Sequence, residues 1–224
     1  MRTGSVAMWQ VMRELVLKDG GRAPKLGTNF FDEPRFGKWA KEKKYILVKS
    51  HQYENVIADY VDDGLIKVVV TIRDMRDVIV SLINFNNYGF KNAIAARAFR
   101  GNPKNYFEWL EEIPPEHLYI VKYEDFITDR PEIISKVSNF LDIDISDYEA
   151  VAIGKKWDIP ANRKRAKERH NIDSPHYMSE RHIHSGEVGQ WRTALSKDEV
   201  EYIEEELWDF QVVTGYTSFH DEEE

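Results

Sequence analysis

The chain has no cysteine among its 224 residues. That excludes disulfides, thiolate metal ligands and cysteine nucleophiles. It also fits a reducing compartment, so a cytoplasmic location is expected. No apolar run reaches the roughly 18 residues of a membrane-spanning helix, so no membrane span is expected. The opening MRTGSVAMWQ lacks the apolar centre of a signal peptide. Positive charge is scarce: 31 Lys and Arg against 39 Asp and Glu leave a net charge of −8. An acidic chain is repelled by phosphate backbones, so no nucleic-acid partner is expected. Any anion it binds must sit in a local basic pocket working against the global field. The Walker A pattern GxxxxGK[ST] is absent. What remains is ordinary for a globular protein, with 42% hydrophobic and 31% charged residues. No composition shift divides the chain. A single domain over residues 1–224 is expected, ending in an acidic tail at about 218–224.

The stretch Ile66 to Ser81, IKVVVTIRDMRDVIVS, is the most informative. Val68, Val69, Val70, Thr71 and Ile72 are β-branched, as in a strand buried on both faces. Asp74 is a candidate N-cap for a following helix, and Asp77 completes a capping-box-like pair. Arg73 sits at the strand end and Ser81 lies eight residues on. Ligands of open α/β sheets bind at strand carboxyl ends, so the pair is a candidate phosphate clamp. The alternative is an arginine capping a carbonyl and a serine facing solvent.

Elsewhere, helices are expected at Val6–Leu17, Tyr53–Val61, Asn105–Glu111, Pro131–Leu141 and Lys197–Val213, and strands at Tyr45–Val48 and Leu118–Val121. Residues 22–42 and 157–190 have little periodicity. Short apolar strands alternating with helices argue for a three-layer α/β fold, a central parallel sheet flanked by helices. Only Met1 to Ser5 precede the first helix, so the strand that normally feeds such a helix is expected to be missing or shortened.

Several sites fall at strand ends or helix starts. Arg2-Thr3-Gly4-Ser5 leads into the first helix, where backbone N–H groups and the helix dipole favour a phosphate. Lys49-Ser50-His51 follows the second apolar segment, offering a fixed charge and a base that titrates near neutrality. Tyr123-Glu124-Asp125 ends the third strand, and Gly186-Glu187-Val188-Gly189-Gln190-Trp191 is a late glycine motif.

In that order these motifs resemble the sulfotransferases that use 3′-phosphoadenosine 5′-phosphosulfate (PAPS). That family carries P-[KR]-[ST]-G-[ST]-T, K-[TS]-H, R-x7-S, Y-E-D and R-K-G-x-x-G-x-W. The resemblance implies a fold like that of P-loop nucleotide-binding proteins. It also implies transfer of a sulfuryl group to a small-molecule or glycan hydroxyl, with 3′-phosphoadenosine 5′-phosphate (PAP) as product and no metal. It implies that Arg2, Thr3, Gly4, Ser5 and Val6 hold the 5′-phosphosulfate and that Arg73 and Ser81 grip the 3′-phosphate. Tyr123 would border the adenine, unless it only packs at its strand end. His51 would be the catalytic base, with Lys49 and Arg2 stabilising the developing charge. His184, Ser185 and Gly186 match the second grip on the 3′-phosphate.

The departures matter. Val6 stands for a threonine, and Ala7 for a tryptophan that stacks on adenine in many cytosolic members. His184 and Ser185 replace an Arg-Lys pair, for which Arg181 or Arg192 are candidate substitutes. A homologue that binds PAPS or PAP without turnover therefore stays open. So does a nucleotide kinase, against which the missing Walker lysine counts. The basic run Arg163-Lys164-Arg165, Lys167, Arg169 and His170 reads either as a lid over an anion or as a solvated loop. His176, His182 and His184 lack the spacing of a metal site.

Overall fold

The computed structural model describes residues 3–23, 38, 41–42, 45–50, 53, 57, 60–61, 63–168 and 186–217. Helix α1 (Ser5–Lys18) comes first, then strand β1 (Val68–Ile72) and helices α2 (Met75–Asn86), α3 (Phe90–Ala95) and α4 (Arg97–Glu112). Strand β2 (Leu118–Lys122) leads into α5 (Tyr123–Thr128), α6 (Arg130–Phe140), α7 (Asp147–Lys156) and α8 (Ile159–Glu168). The short α9 (Trp191–Ala194), α10 (Lys197–Glu206) and α11 (Trp208–Thr214) follow.

Strands β1 and β2 pair in parallel, from Val68 opposite Leu118 to Ile72 opposite Lys122. Alternation along them sends side chains to opposite faces of the sheet. Val69, Tyr119 and Val121 pack with Met8, Val11 and Leu15 of α1, Ile134 and Val137 of α6 and Ala150 of α7. Val70, Ile72 and Ile120 face the other way, onto Val78 and Ile79 of α2, Phe99 and Tyr106 of α4, Ile203 of α10 and Phe210 of α11. The result is the expected helix–sheet–helix sandwich. The β-branched run at 68–72 is apolar but for Thr71, as suits a strand with helices packed on both faces.

Several expectations change. Among the described residues, Tyr45–Val48 forms no strand; Ile46 makes one isolated parallel bridge to Arg22. Helicity runs back from Asn105 to Arg97 through Pro103. The N–H that Pro103 lacks is offset by the burial of Phe99 and Tyr106 on the same helix. Helix α7 was not anticipated, although Ser146 and Glu149 form a full capping box at its start. The basic run from Arg163 to Lys167 lies on α8, not on a loop. The expected closing helix is two, broken at Leu207 (φ −124°, ψ 27°). Most of Tyr53–Val61 lies outside the described residues.

The capping box expected at α2 is half right. Asp74 caps the helix and accepts from the Arg76 N–H at 2.9 Å. The Asp74 N–H, however, donates to Glu124 Oε1 at 3.2 Å rather than to Asp77. Glu124 also accepts from the Tyr216 hydroxyl at 2.5 Å. Burial pushes the Glu124 carboxyl up, and the Tyr216 hydroxyl opposes that shift. Arg76, itself buried, pairs with Asp74 and Glu204 and donates to the Tyr216 carbonyl at 2.7 Å. This network ties the segment after α11 to the ends of both strands.

Replacing Tyr216 by Phe removes the hydroxyl from which the half-buried Glu124 carboxylate accepts. We expect a stability loss of about 1–3 kcal/mol, read from urea unfolding. Gly4 is a second test of packing. Its φ is +76°, and a Cβ built there lies 2.5 Å from Tyr123 Cδ2. Gly4→Ala is expected to cost about 1–2 kcal/mol from the backbone alone and more from the clash. Adding Tyr123→Ala removes only the clash, so a double-mutant cycle will show coupling between the two sites.

Candidate active site

Because Ile72 and Lys122 are opposite one another, the next residues of both strands emerge side by side. Arg73 and Tyr123 meet there, the guanidinium carbon 4.3 Å from the ring centroid. Thr71 holds the N-terminal loop to the same place through a 2.9 Å hydroxyl–hydroxyl bond to buried Thr3. Gly4 then crosses the Tyr123 ring in a left-handed conformation and starts α1, its carbonyl accepting from the Met8 N–H at 3.0 Å. Only glycine combines that φ with that approach.

The late glycine motif folds onto the same end of the sheet. The Tyr123 hydroxyl donates to the Gly186 carbonyl at 3.2 Å, and Arg73 Nη2 to the Glu187 carbonyl at 3.0 Å. The Asp77 carboxylate accepts from the Gly189 N–H at 2.8 Å and the Trp191 N–H at 3.1 Å. Gly186 (φ +74°) packs so closely on Ile159 that an added Cβ would fall 1.9 Å from Cδ1.

A cavity of about 390 Å³ runs along β1. Its polar lining includes Thr3, Ser5, Lys49, Ser50 and Arg73, together with Glu42 and Lys67, while Trp9, Met12, Ile57 and Trp109 are among its apolar lining. Lys49 is desolvated there, which lowers its ammonium pKa to about 8. The native state therefore releases this proton near pH 8, whereas the unfolded chain holds it to the ordinary value of 10.5. Burying Lys49 thus opposes folding below pH 8, and this cost fades as pH rises from about 8 to about 10.5. Burial is also the main cause that raises the Tyr123 phenol, with the Arg73 charge opposing it. Arg73 is 5% exposed, and its Nε is buried with no hydrogen-bond partner among the described residues. A buried N–H left open beside a cavity fits an anionic ligand that completes it.

Thr3, Gly4, Ser5, Arg73, Tyr123 and Gly186 thus gather at one end of the sheet, with Lys49 lining the adjoining cavity. Val6 is half-buried in the first turn of α1. Ser81 is buried on α2 and is not among the cavity's lining residues. Arg2, His51, His184 and Ser185 lie outside the described residues, as do Arg181, His176 and His182. Arg192 stacks on Trp191, 4.5 Å from its ring centroid. Sequence reasoning gave Asp77 only a capping role. The spacing Arg73-x3-Asp77, which suits an i,i+4 ion pair, was the available signal.

Residues 10–207 match the family described as Sulfotransferase domain. Sulfotransferase 6B1 of Danio rerio is 25% identical over 156 residues, which is 62% of this chain and 50% of the relative. Sulfotransferase 6B1 of Mus musculus is 21% identical over 172 residues, 71% of this chain and 55% of the relative. The chain spans about half the length of these curated relatives. Among solved structures, mouse sulfotransferase SULT7A1 complexed with PAP superposes with a TM-score of 0.72 at 16% identity, covering 93% of this chain and 80% of the other. Retinol dehydratase in a complex with retinol and PAP gives 0.56 at 19% identity, over 68% and 49% of the two chains. At these identities the structures establish the fold, a parallel-sheet α/β sandwich. The family match spans most of the sequence, and the chain belongs to the sulfotransferase domain family.

Proposed function

We propose that residues 1–224 act as one sulfotransferase domain that binds PAPS and passes its sulfuryl group to a hydroxyl acceptor, leaving PAP. The observation that carries this reading is Arg73, buried at the strand end with an unpartnered Nε beside a cavity lined by Lys49, Thr3 and Ser5. PAPS supplies the sulfuryl group, and the protein's part is positioning and charge stabilisation. Arg73 and Ser81 take the 3′-phosphate, helped by His184, Ser185 and Gly186. Arg2, Thr3, Gly4, Ser5 and Val6 hold the 5′ end at the start of α1, where the N–H groups point outward. Tyr123 borders the adenine. His51, the histidine of the Lys-x-His motif, takes the proton from the acceptor hydroxyl. Lys49 and Arg2 balance the negative charge that develops as the leaving phosphate departs. The acceptor is a small molecule or a glycan.

The test is sulfate transfer from PAPS to a panel of alcohols, phenols and glycans, with PAP affinity measured on the same protein. Binding with transfer supports the enzyme, and binding without transfer means a nucleotide-binding homologue. Tight ATP binding with no response to PAP would point to a kinase instead. His51→Ala is expected to abolish transfer with PAP affinity nearly unchanged. Arg73→Ala is expected to weaken PAP binding by about 2–5 kcal/mol, roughly 30-fold or more. The Lys49 pKa of about 8 sets a further expectation. If the donor needs the ammonium, kcat/KM for PAPS falls above pH 8, approaching about tenfold per pH unit. Lys49→Arg removes that limb, because the guanidinium stays charged.

A further inference from the structure

Asp77 is a buried carboxylate beside Arg73 that the proposed mechanism leaves without a task. It is 1% exposed on the first turn of α2. Its two oxygens face three donors that come from far along the chain or from the neighbouring clamp. Oδ2 accepts from the Gly189 N–H at 2.8 Å and from Arg73 Nη2 at 3.4 Å, and Oδ1 accepts from the Trp191 N–H at 3.1 Å. Arg73 Nη2 also reaches the Glu187 carbonyl at 3.0 Å. One carboxylate therefore fixes both the guanidinium and the turn that lies against it. With Nη2 engaged twice by protein, the guanidinium is held in one orientation, its buried Nε without a hydrogen-bond partner among the described residues.

We propose that Asp77 is a positioning residue for donor binding. It latches the Gly186–Trp191 turn to α2 and aims Arg73, so that the 3′-phosphate grip exists before the nucleotide arrives. This rests on the donor-site reading above. Two forces on a bound phosphate oppose one another here. As a charge, Asp77 repels an anion, so removing it by Coulomb's law alone would tighten binding. As a latch, it preorganises Arg73 and the turn, so removing it would weaken binding. Asp77→Asn keeps the shape but turns one oxygen into an N–H donor, which cannot accept from both the Gly189 and Trp191 amides. The sign of the affinity change thus separates the two roles.

The experiment is calorimetric titration of PAP into the wild-type protein and Asp77→Asn, with hydrogen exchange followed at the Gly189 and Trp191 amides. The latch predicts at least tenfold weaker PAP binding by Asp77→Asn and lost protection of at least one of the two amides. Acceptor KM is expected to stay unchanged at saturating PAPS. Wild-type binding with equal or tighter binding by Asp77→Asn overturns the positioning role alone. No PAP binding by the wild-type protein overturns the donor-site reading, and the positioning role with it. Should Asp77→Asn fail to fold, Gly189→Ala carries the test. It strains the same turn without altering α2, because Gly189 has φ +77°, a conformation that an alanine side chain disfavours. Unchanged PAP affinity in Gly189→Ala overturns the latch.

Discussion

The parallel register of β1 and β2 is the constraint on which the rest depends. With Ile72 opposite Lys122, two strands more than forty residues apart finish level. Their next residues, Arg73 and Asp74 on one side and Tyr123 and Glu124 on the other, then become neighbours. Slipping either strand by one residue would reverse its alternation and turn Val69 and Val121 away from the α1 side of the core. The two apolar clusters therefore hold the register, and the register holds the site. Chemistry at the strand ends is stabilised by packing several residues away.

Around that junction the protein buries more charge than a domain core usually accepts. Arg73, Asp74, Arg76 and Asp77 are all nearly inaccessible. Each is matched: Arg76 to Asp74, Glu204 and the Tyr216 carbonyl, and Asp77 to two backbone amides and Arg73. Such pairs contribute little net stability, since desolvation consumes most of the Coulomb gain. Their value lies in specificity. In this arrangement of α2, the glycine turn and the segment after α11, all of them are satisfied at once. Arg76 also stacks on Trp191, 3.9 Å from its ring centroid, so the same arginine braces the end of the turn that Asp77 holds.

Some of this was legible from local pattern. The 68–72 strand, the Asp74 cap and helices α1, α2 and α6 follow from β-branching, cap chemistry and 3.6-residue periodicity, which act over a few residues. Helix α4 was shortened in sequence because Gly101 and Pro103 weigh against helix locally. The burial of Phe99 and Tyr106 outweighs that preference. The segment 45–48 failed as a strand for the complementary reason. An apolar run becomes a strand only where a neighbouring edge completes its ladder, and here Ile46 makes a single bridge to Arg22.

The sequence by itself determined which chemistry is present and in what order. A glycine loop opens a helix, Lys49 follows an apolar segment, Arg73 ends a strand, and the glycine motif comes late. Residue type and adjacency are enough to specify those features. Tertiary structure alone decided what each group meets. Asp77 reads locally as a cap residue, yet it bonds to amides 112 and 114 residues away. Glu124 takes the N–H that a capping box would have used, and Lys49 loses water, which lowers its pKa to about 8. No periodicity encodes such partners, because they are set by which surfaces exclude water once the strands have paired.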